Sequence, residues 1–154
     1  SKKLSDLNRR KLYKEITSIA IDYSIVDISN NVIDSINVLE STFFAMNKAI
    51  SKIIKKADYI IIDGNQFKTN NKFHYKCIVK GDAIYQSIAA ASILAKVHRD
   101  NLMLKFDKDY PHYDWINNKG YGTIKHKTAI KKYGISRHHR KSFNLLNKQL
   151  KIKI

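Results

Sequence analysis

Two aspartates stand where a chain can do hydrolytic chemistry with a metal ion. Asp63 follows the apolar run Tyr59-Ile60-Ile61-Ile62, and Asp82 follows Cys77-Ile78-Val79 through Lys80-Gly81. Each short β-rich run ends on a carboxylate. A charge at that point is costly inside a sheet and cheap at the C-terminal edge of a strand, where α/β sheets place their ligands. Gly64 allows a tight exit from the first run, and Asn65 tolerates a left-handed turn. In a parallel pair both acids would emerge on the same edge. Magnesium prefers such hard oxygen ligands. In nucleases two ions about 3.5–4 Å apart hold the attacking water and the leaving oxygen. Nucleic-acid hydrolysis is therefore the leading hypothesis. The competing reading makes Asp63 a turn acid and Asp82 a helix N-cap. Asp100, within His98-Arg99-Asp100, reads better as an ion-pair partner than as a ligand.

The elements that must position these acids follow from periodicity. Ser5 is placed to cap a helix running to about Ala20, with Leu7, Leu12, Ile16 and Ile19 as its apolar stripe. Residues 21–28 alternate apolar and polar and predict a strand. Ser29-Asn30-Asn31 predicts a turn, and residues 32–35 a short helical turn. A helix opening at Ser35 or Asn37 and running to about Lys56 carries Leu39, Phe43, Met46 and Ile50 on one face. Residues 59–62 predict a strand buried on both sides, 66–71 a polar loop, 74–79 the next strand and 83–107 a long helix. Residues 110–122 form an irregular aromatic-rich loop, with Tyr113 and Trp115 as its core or as rings for base stacking. Thr123 caps a helix to Tyr133 that Gly134 ends, and 143–151 predict a last helix. Mixed strands and helices in one chain of 154 residues point to a single α/β domain.

Composition narrows the partners. Lys and Arg number 29 against 13 acids, a formal charge of +16 with pI near 9.9. A surplus of that size favours a polyanion, and a nucleic-acid backbone is the default; a genome rich in A and T would enrich Lys, Ile, Asn and Tyr as well. Cys77 is the single cysteine, which excludes an internal disulfide framework and reads as a small core residue. No CxxC pair suggests structural zinc. No apolar run has spanning length and no secretory signal is present, so a cytosolic location is the simplest expectation, with no membrane partner.

Several motifs, in order, resemble one family. Ser1-Lys2-Lys3-Leu4-Ser5 looks like a DSKKLS segment without its first residue. Ile62-Asp63-Gly64-Asn65 and Lys80-Gly81-Asp82 match two acid-bearing segments. The stretch from Ala89 to Asp100 matches AASILAKVxRD. Lys119-Gly120-Tyr121 matches a KGYPT motif with Gly122 in place of Pro, and His138-His139-Arg140-Lys141-Ser142-Phe143 matches HHRxSF. These resemble bacterial ribonuclease HII along essentially the whole chain. The resemblance implies a ribonuclease H-like mixed sheet flanked by helices, with C-terminal helices. It implies an endonuclease that cleaves the RNA strand of RNA–DNA hybrids, and single ribonucleotides in duplex DNA, as in replication and repair. It implies Mg²⁺ or Mn²⁺ at Asp63 and Asp82, water attacking the phosphate 5′ of the ribonucleotide, and a monomer.

The family begins with a strand carrying an Asp-Glu pair in a DEVGRG-like motif, and these 154 residues contain none; Glu15 and Glu40 lie in helical patterns. The expected sheet order 3-2-1-4-5 thus lacks its first two strands. The chain is expected to be N-terminally incomplete, with residues 21–28 unpaired, and to be unstable, rearranged or aggregation-prone and inactive by itself. A basic binding module without turnover, or a gene remnant, is the alternative. Tyr121 is assigned by the resemblance to the substrate site, near the ribose 2′-OH; the competing role is a loop anchor. Lys2 and Lys3 are placed for phosphate contact before a helix start, or are solvated surface. Arg140 is a phosphate candidate in a cationic cluster whose histidines read as structural. Ala89, Ala90, Ala91 and Ser92 read as a close helix–sheet contact.

Overall fold

The computed structural model describes residues 4–53 and 57–143. Their order is α1 (Asp6–Ile19), α2 (Asn30–Ile53), β1 (Ile60–Asp63), β2 (Tyr75–Ile78), α3 (Gln86–Asp109), α4 (Trp115–Asn118) and α5 (Ile124–Tyr133), with 3-10 turns at Gly81–Ala83 and Pro111–Tyr113. This is the expected α/β architecture. The residues divide into two compact units: 4–27, 39–53 and 57–98 in the first, and 28–38 and 99–143 in the second. The predicted helix over 143–151 and the candidate residues Lys2 and Lys3 lie outside the described residues.

Local chemistry sets most helix ends. Ser5 Oγ accepts from the Asn8 N–H at 3.3 Å and opens α1. Ser29 opens α2, its carbonyl accepting from the Ile33 N–H at 3.1 Å. The predicted short turn and following helix are one element broken at Asn37, whose φ of 67° is non-helical. Asn is among the few L residues that tolerate positive φ. Thr123 Oγ1 accepts from the His126 N–H at 3.3 Å, and Gly134, at φ 78°, ends α5.

Some predicted features differ. Residues 21–28 make no ladder and are not a strand. Alternation supplies the side-chain pattern of a strand, but a strand exists only when its N–H and C=O groups meet a partner. In this segment Asp27 bonds His98 Nε2 at 2.8 Å. The apolar stripe of α1 buries nothing fully, and Leu7 and Ile19 are largely exposed.

In the first unit β1 and β2 are parallel neighbours, Ile60 opposite Tyr75 and Asp63 opposite Ile78. Phe43, Ile50, Ile62 and Phe67 form the core beside them, with Met46, Ile60, Phe73 and Cys77 around it. Phe67 comes from the loop expected to be polar; it meets Phe43 and Tyr75 edge-on at 6.1 and 5.3 Å. A two-stranded sheet is marginal in water, and this aromatic packing supplies the apolar backing it needs. The buried positions of α3 in this unit are Ile88, Ile93, Leu94 and Val97, whereas Ala89, Ala90 and Ser92 are half-buried and Ala91 is exposed.

The second unit buries Met103, Tyr113, Trp115, Ala129 and Ile130, with Leu102, Phe106 and Tyr110 packed around them. Tyr113 and Trp115 are packed in the loop core, as read from the sequence. His126 and His139 are buried there too, their rings stacked at 5.3 Å. His126 Nδ1 lies 3.0 Å from the Tyr113 carbonyl, and the Ser136 N–H donates to His139 Nδ1 at 2.9 Å. His138 stacks flat on Phe106 at 3.9 Å. The histidines are thus structural, as expected.

Each unit yields a test. A Cβ on Gly81 would lie 2.5 Å from Ile88 Cδ1. Gly81→Ala is expected to destabilise by about 1–3 kcal/mol, read as a lower urea midpoint. In the second unit, burial first and the neighbouring His126 second hold the His139 imidazole down to about 4. An unfolded histidine titrates near 6.5. The folded state therefore resists a proton that the unfolded chain accepts. This contribution is fully present above about pH 6.5 and is lost as pH falls toward 4, at most about 3 kcal/mol. Urea midpoints at pH 7.5 and 5 should differ in that direction, and His139→Phe should flatten the difference whatever it does to absolute stability.

Candidate functional site

Parallel pairing brings both predicted acids to one sheet edge. β1 ends on Asp63 and β2 on Ile78, its register partner, so both chains leave the sheet on the same side. From Ile78 the chain reaches Lys80, which takes a left-handed conformation (φ 57°, ψ 34°) and turns it into Gly81–Ala83. That reversal points the Gly81 N–H back at the neighbouring strand end, where Asp63 Oδ1 accepts it at 2.9 Å. The Gly64 N–H donates to the Ile78 carbonyl at 3.0 Å and extends the ladder by one bond. Asp63 is thus joined directly to the residue before Asp82.

This geometry bears on the local readings of each acid. Asp63 is more than a local turn acid: its partner is 18 residues away in sequence. Its side chain is exposed, and the Gly81 bond engages its Oδ1. Asp82 is half-buried inside the 3-10 turn. Because α3 starts at Gln86, Asp82 is too early in the chain to be its N-cap. Asp100 is buried on α3 in the second unit and is 2% exposed.

As donors, two carboxylates suit a hard divalent cation in kind. They fall short in number: among the described residues no group of three His, Cys, Asp or Glu side chains comes together as metal ligands. Asp63 and Asp82 therefore fit as part of a donor set.

The second unit carries the remaining candidates. Tyr121 is 66% exposed in the loop between α4 and α5. Its backbone is fixed although its ring is not buried. The Tyr121 N–H donates to the Asn118 carbonyl at 2.8 Å, and its own carbonyl accepts from the Thr123 N–H at 2.8 Å. Gly120, at φ 82°, makes the preceding turn possible. Gly122 in place of Pro is therefore compatible with an ordered loop. Arg140 places its guanidinium carbon 4.6 Å over the Phe143 ring, a cation–π contact that leaves the group's edge available for hydrogen bonding.

Sequence reasoning missed Asn30 and Asp34. Asn30 Nδ2 donates to the carbonyls of Arg137 and His139, and Asp34 accepts from the Lys141 and Ser142 N–H groups. Their i, i+4 spacing puts them on one helix face. That is the only local signal, because their partners lie over a hundred residues away. No helix of the described residues is long and apolar enough to cross a membrane.

Comparison with known proteins agrees with this assembly of motifs. A family model described as Ribonuclease HII matches residues 1–146. The chain is 48% identical over 152 residues to the ribonuclease HII of Christiangramia forsetii, covering 99% of this chain and 77% of that protein. It is 45% identical over 151 residues to that of Cytophaga hutchinsonii, covering 97% and 75%. For Porphyromonas gingivalis the values are 46% over 143 residues, 93% and 71%. With a family match along nearly its full length and relatives this similar, the chain belongs to the ribonuclease HII family.

Proposed function

We propose that this protein is an endonuclease acting on the RNA strand of RNA–DNA hybrids and on single ribonucleotides within duplex DNA. Family membership supports the nuclease class. The observation that carries the site is the shared strand edge, where Asp63 Oδ1 is bonded to the Gly81 N–H and Asp82 follows in the same turn.

In this reading Asp63 and Asp82 hold Mg²⁺ or Mn²⁺ together with further oxygen donors. When bound, such ions activate water and offset charge on the attacking and leaving oxygens. The protein residues do the rest. The Gly81 N–H fixes Asp63 Oδ1 and so orients its carboxylate. The overall charge of +16 draws in the phosphate backbone. Tyr121 offers an exposed ring for the ribose that carries the 2′-OH, the one group that separates RNA from DNA at a single site. Arg140 contacts phosphate; Lys2 and Lys3 are assigned the same role. Cleavage on the 5′ side of a ribonucleotide leaves a 3′-hydroxyl and a 5′-phosphate.

A second reading, binding without turnover, rests on the small donor set among the described residues. One assay separates the two. A duplex with a single ribonucleotide is incubated with the 154-residue chain and Mg²⁺ or Mn²⁺. The nuclease reading expects a cut 5′ of the ribonucleotide, reduced about 100-fold or more by Asp63→Asn or Asp82→Asn. Retarded but uncut duplex would favour the binding module, and undiminished cleavage by Asp63→Asn would refute the assigned site.

A further inference from the structure

The run Arg137-His138-His139-Arg140-Lys141 is the densest cationic stretch of the second unit, and it lies in neither helix nor strand. Backbone N–H and C=O groups outside regular structure need other partners. Here two side chains, one turn apart on the first part of α2, provide them. Asn30 Nδ2 donates to the carbonyls of Arg137 and His139, both at 2.9 Å. Asp34 Oδ2 accepts from the Lys141 N–H at 2.7 Å. Its Oδ1 accepts from the Ser142 N–H at 3.0 Å and the Ser142 hydroxyl at 2.5 Å.

The choice of a carboxylate is informative. If this stretch served only to raise positive charge, an acid beside it would be counterproductive. A carboxylate does, however, make stronger, shorter bonds to N–H and O–H donors than a neutral acceptor. Those bonds hold the Asp34 carboxyl below its usual range, the Ser142 hydroxyl contributing most and the Lys141 N–H next. The side chains on either side are fixed as well. His139 is buried and His138 lies on Phe106. On this tethered backbone Lys141 is exposed, and Arg140 is half-buried with its guanidinium over the Phe143 ring. With the Lys141 and Ser142 N–H groups occupied by Asp34, any anion bound here is recognised by side chains.

We infer that Asn30 and Asp34 are positioning residues, which hold Arg140 and Lys141 as a pre-ordered clamp for the phosphates of the nucleic acid. This rests on the reading of Arg140 as a nucleic-acid contact. The advantage is entropic: cations on a backbone already fixed lose less freedom when they bind.

The test uses the 154-residue chain and a fluorescent RNA–DNA hybrid. Asp34→Asn is expected to weaken binding about tenfold and to lower the slope of log affinity against log salt by about 1. Amide exchange at Lys141 and Ser142 should accelerate, and Asp34→Glu should restore part of the affinity. Where turnover is measured, KM should rise with kcat unchanged. Arg140→Ala with Lys141→Ala should weaken binding, and adding Asp34→Asn to that pair should cost nothing more. If the Arg140/Lys141 pair leaves affinity and salt slope unaltered, Arg140 is no nucleic-acid contact and both readings fall. If the pair weakens binding while Asp34→Asn releases the amides without loss of affinity, the positioning role alone is overturned. Should Asp34→Asn unfold the chain, Asn30→Ala carries the same test with the same outcomes.

Discussion

The parallel pairing of β1 with β2 is the constraint from which the proposed site follows. Because the strands run the same way in register, Asp63 opposite Ile78, both chains leave the sheet at one edge. An antiparallel pair would have sent the two carboxylates to opposite ends. The bond from the Gly81 N–H to Asp63 Oδ1 then joins the two exits. Its length depends on the reversal at Lys80 and on the absence of a side chain at Gly81, where a Cβ would meet Ile88 Cδ1 at 2.5 Å. The sheet that carries this edge is too small to stand unaided. It relies on Phe43 and Phe67 beside it, so the geometry of the proposed site depends on aromatic packing.

Two opposing electrostatic demands are met in one small chain. The surface is strongly basic, which concentrates a polyanion and speeds its encounter. A polyanion brought near exposed carboxylates is repelled by them unless a cation intervenes. Exposed acid at a sheet edge within so basic a protein is therefore better suited to a divalent ion than to direct contact with phosphate. Asp34 is the exception: tied to three donors around Lys141 and Ser142, its carboxylate orders the cationic stretch through hydrogen bonds.

The second unit solves its packing differently. Four histidines, His112, His126, His138 and His139, lie among Tyr110, Tyr113 and Trp115. An imidazole packs like an aromatic ring while bonding backbone groups that a phenyl ring would leave unsatisfied. His126 meets the Tyr113 carbonyl and His139 the Ser136 N–H. Burial holds the His139 imidazole down to about 4, so order here is tied to pH in a way that the aliphatic and phenyl core beside the sheet is not.

Much of this was legible in the chain itself. Caps at Ser5 and Thr123 and the stop at Gly134 are local chemistry, and each lies where its residue type places it. The two strands, the acids at or just beyond their ends and the family motifs were equally visible, because apolar runs and turn residues are written in consecutive positions. Residues 21–28 show where local reading ends: alternation describes the faces of a strand but cannot supply the neighbour that makes it one. Phe67 looked like loop because its flanks are polar, and only the packed core drew it inward. The bond from Gly81 to Asp63, and the hold of Asn30 and Asp34 on a segment more than a hundred residues later, belong to the tertiary structure alone. Such bonds depend on which backbone groups are left without partners once the chain has folded, and no short window of residues contains that information.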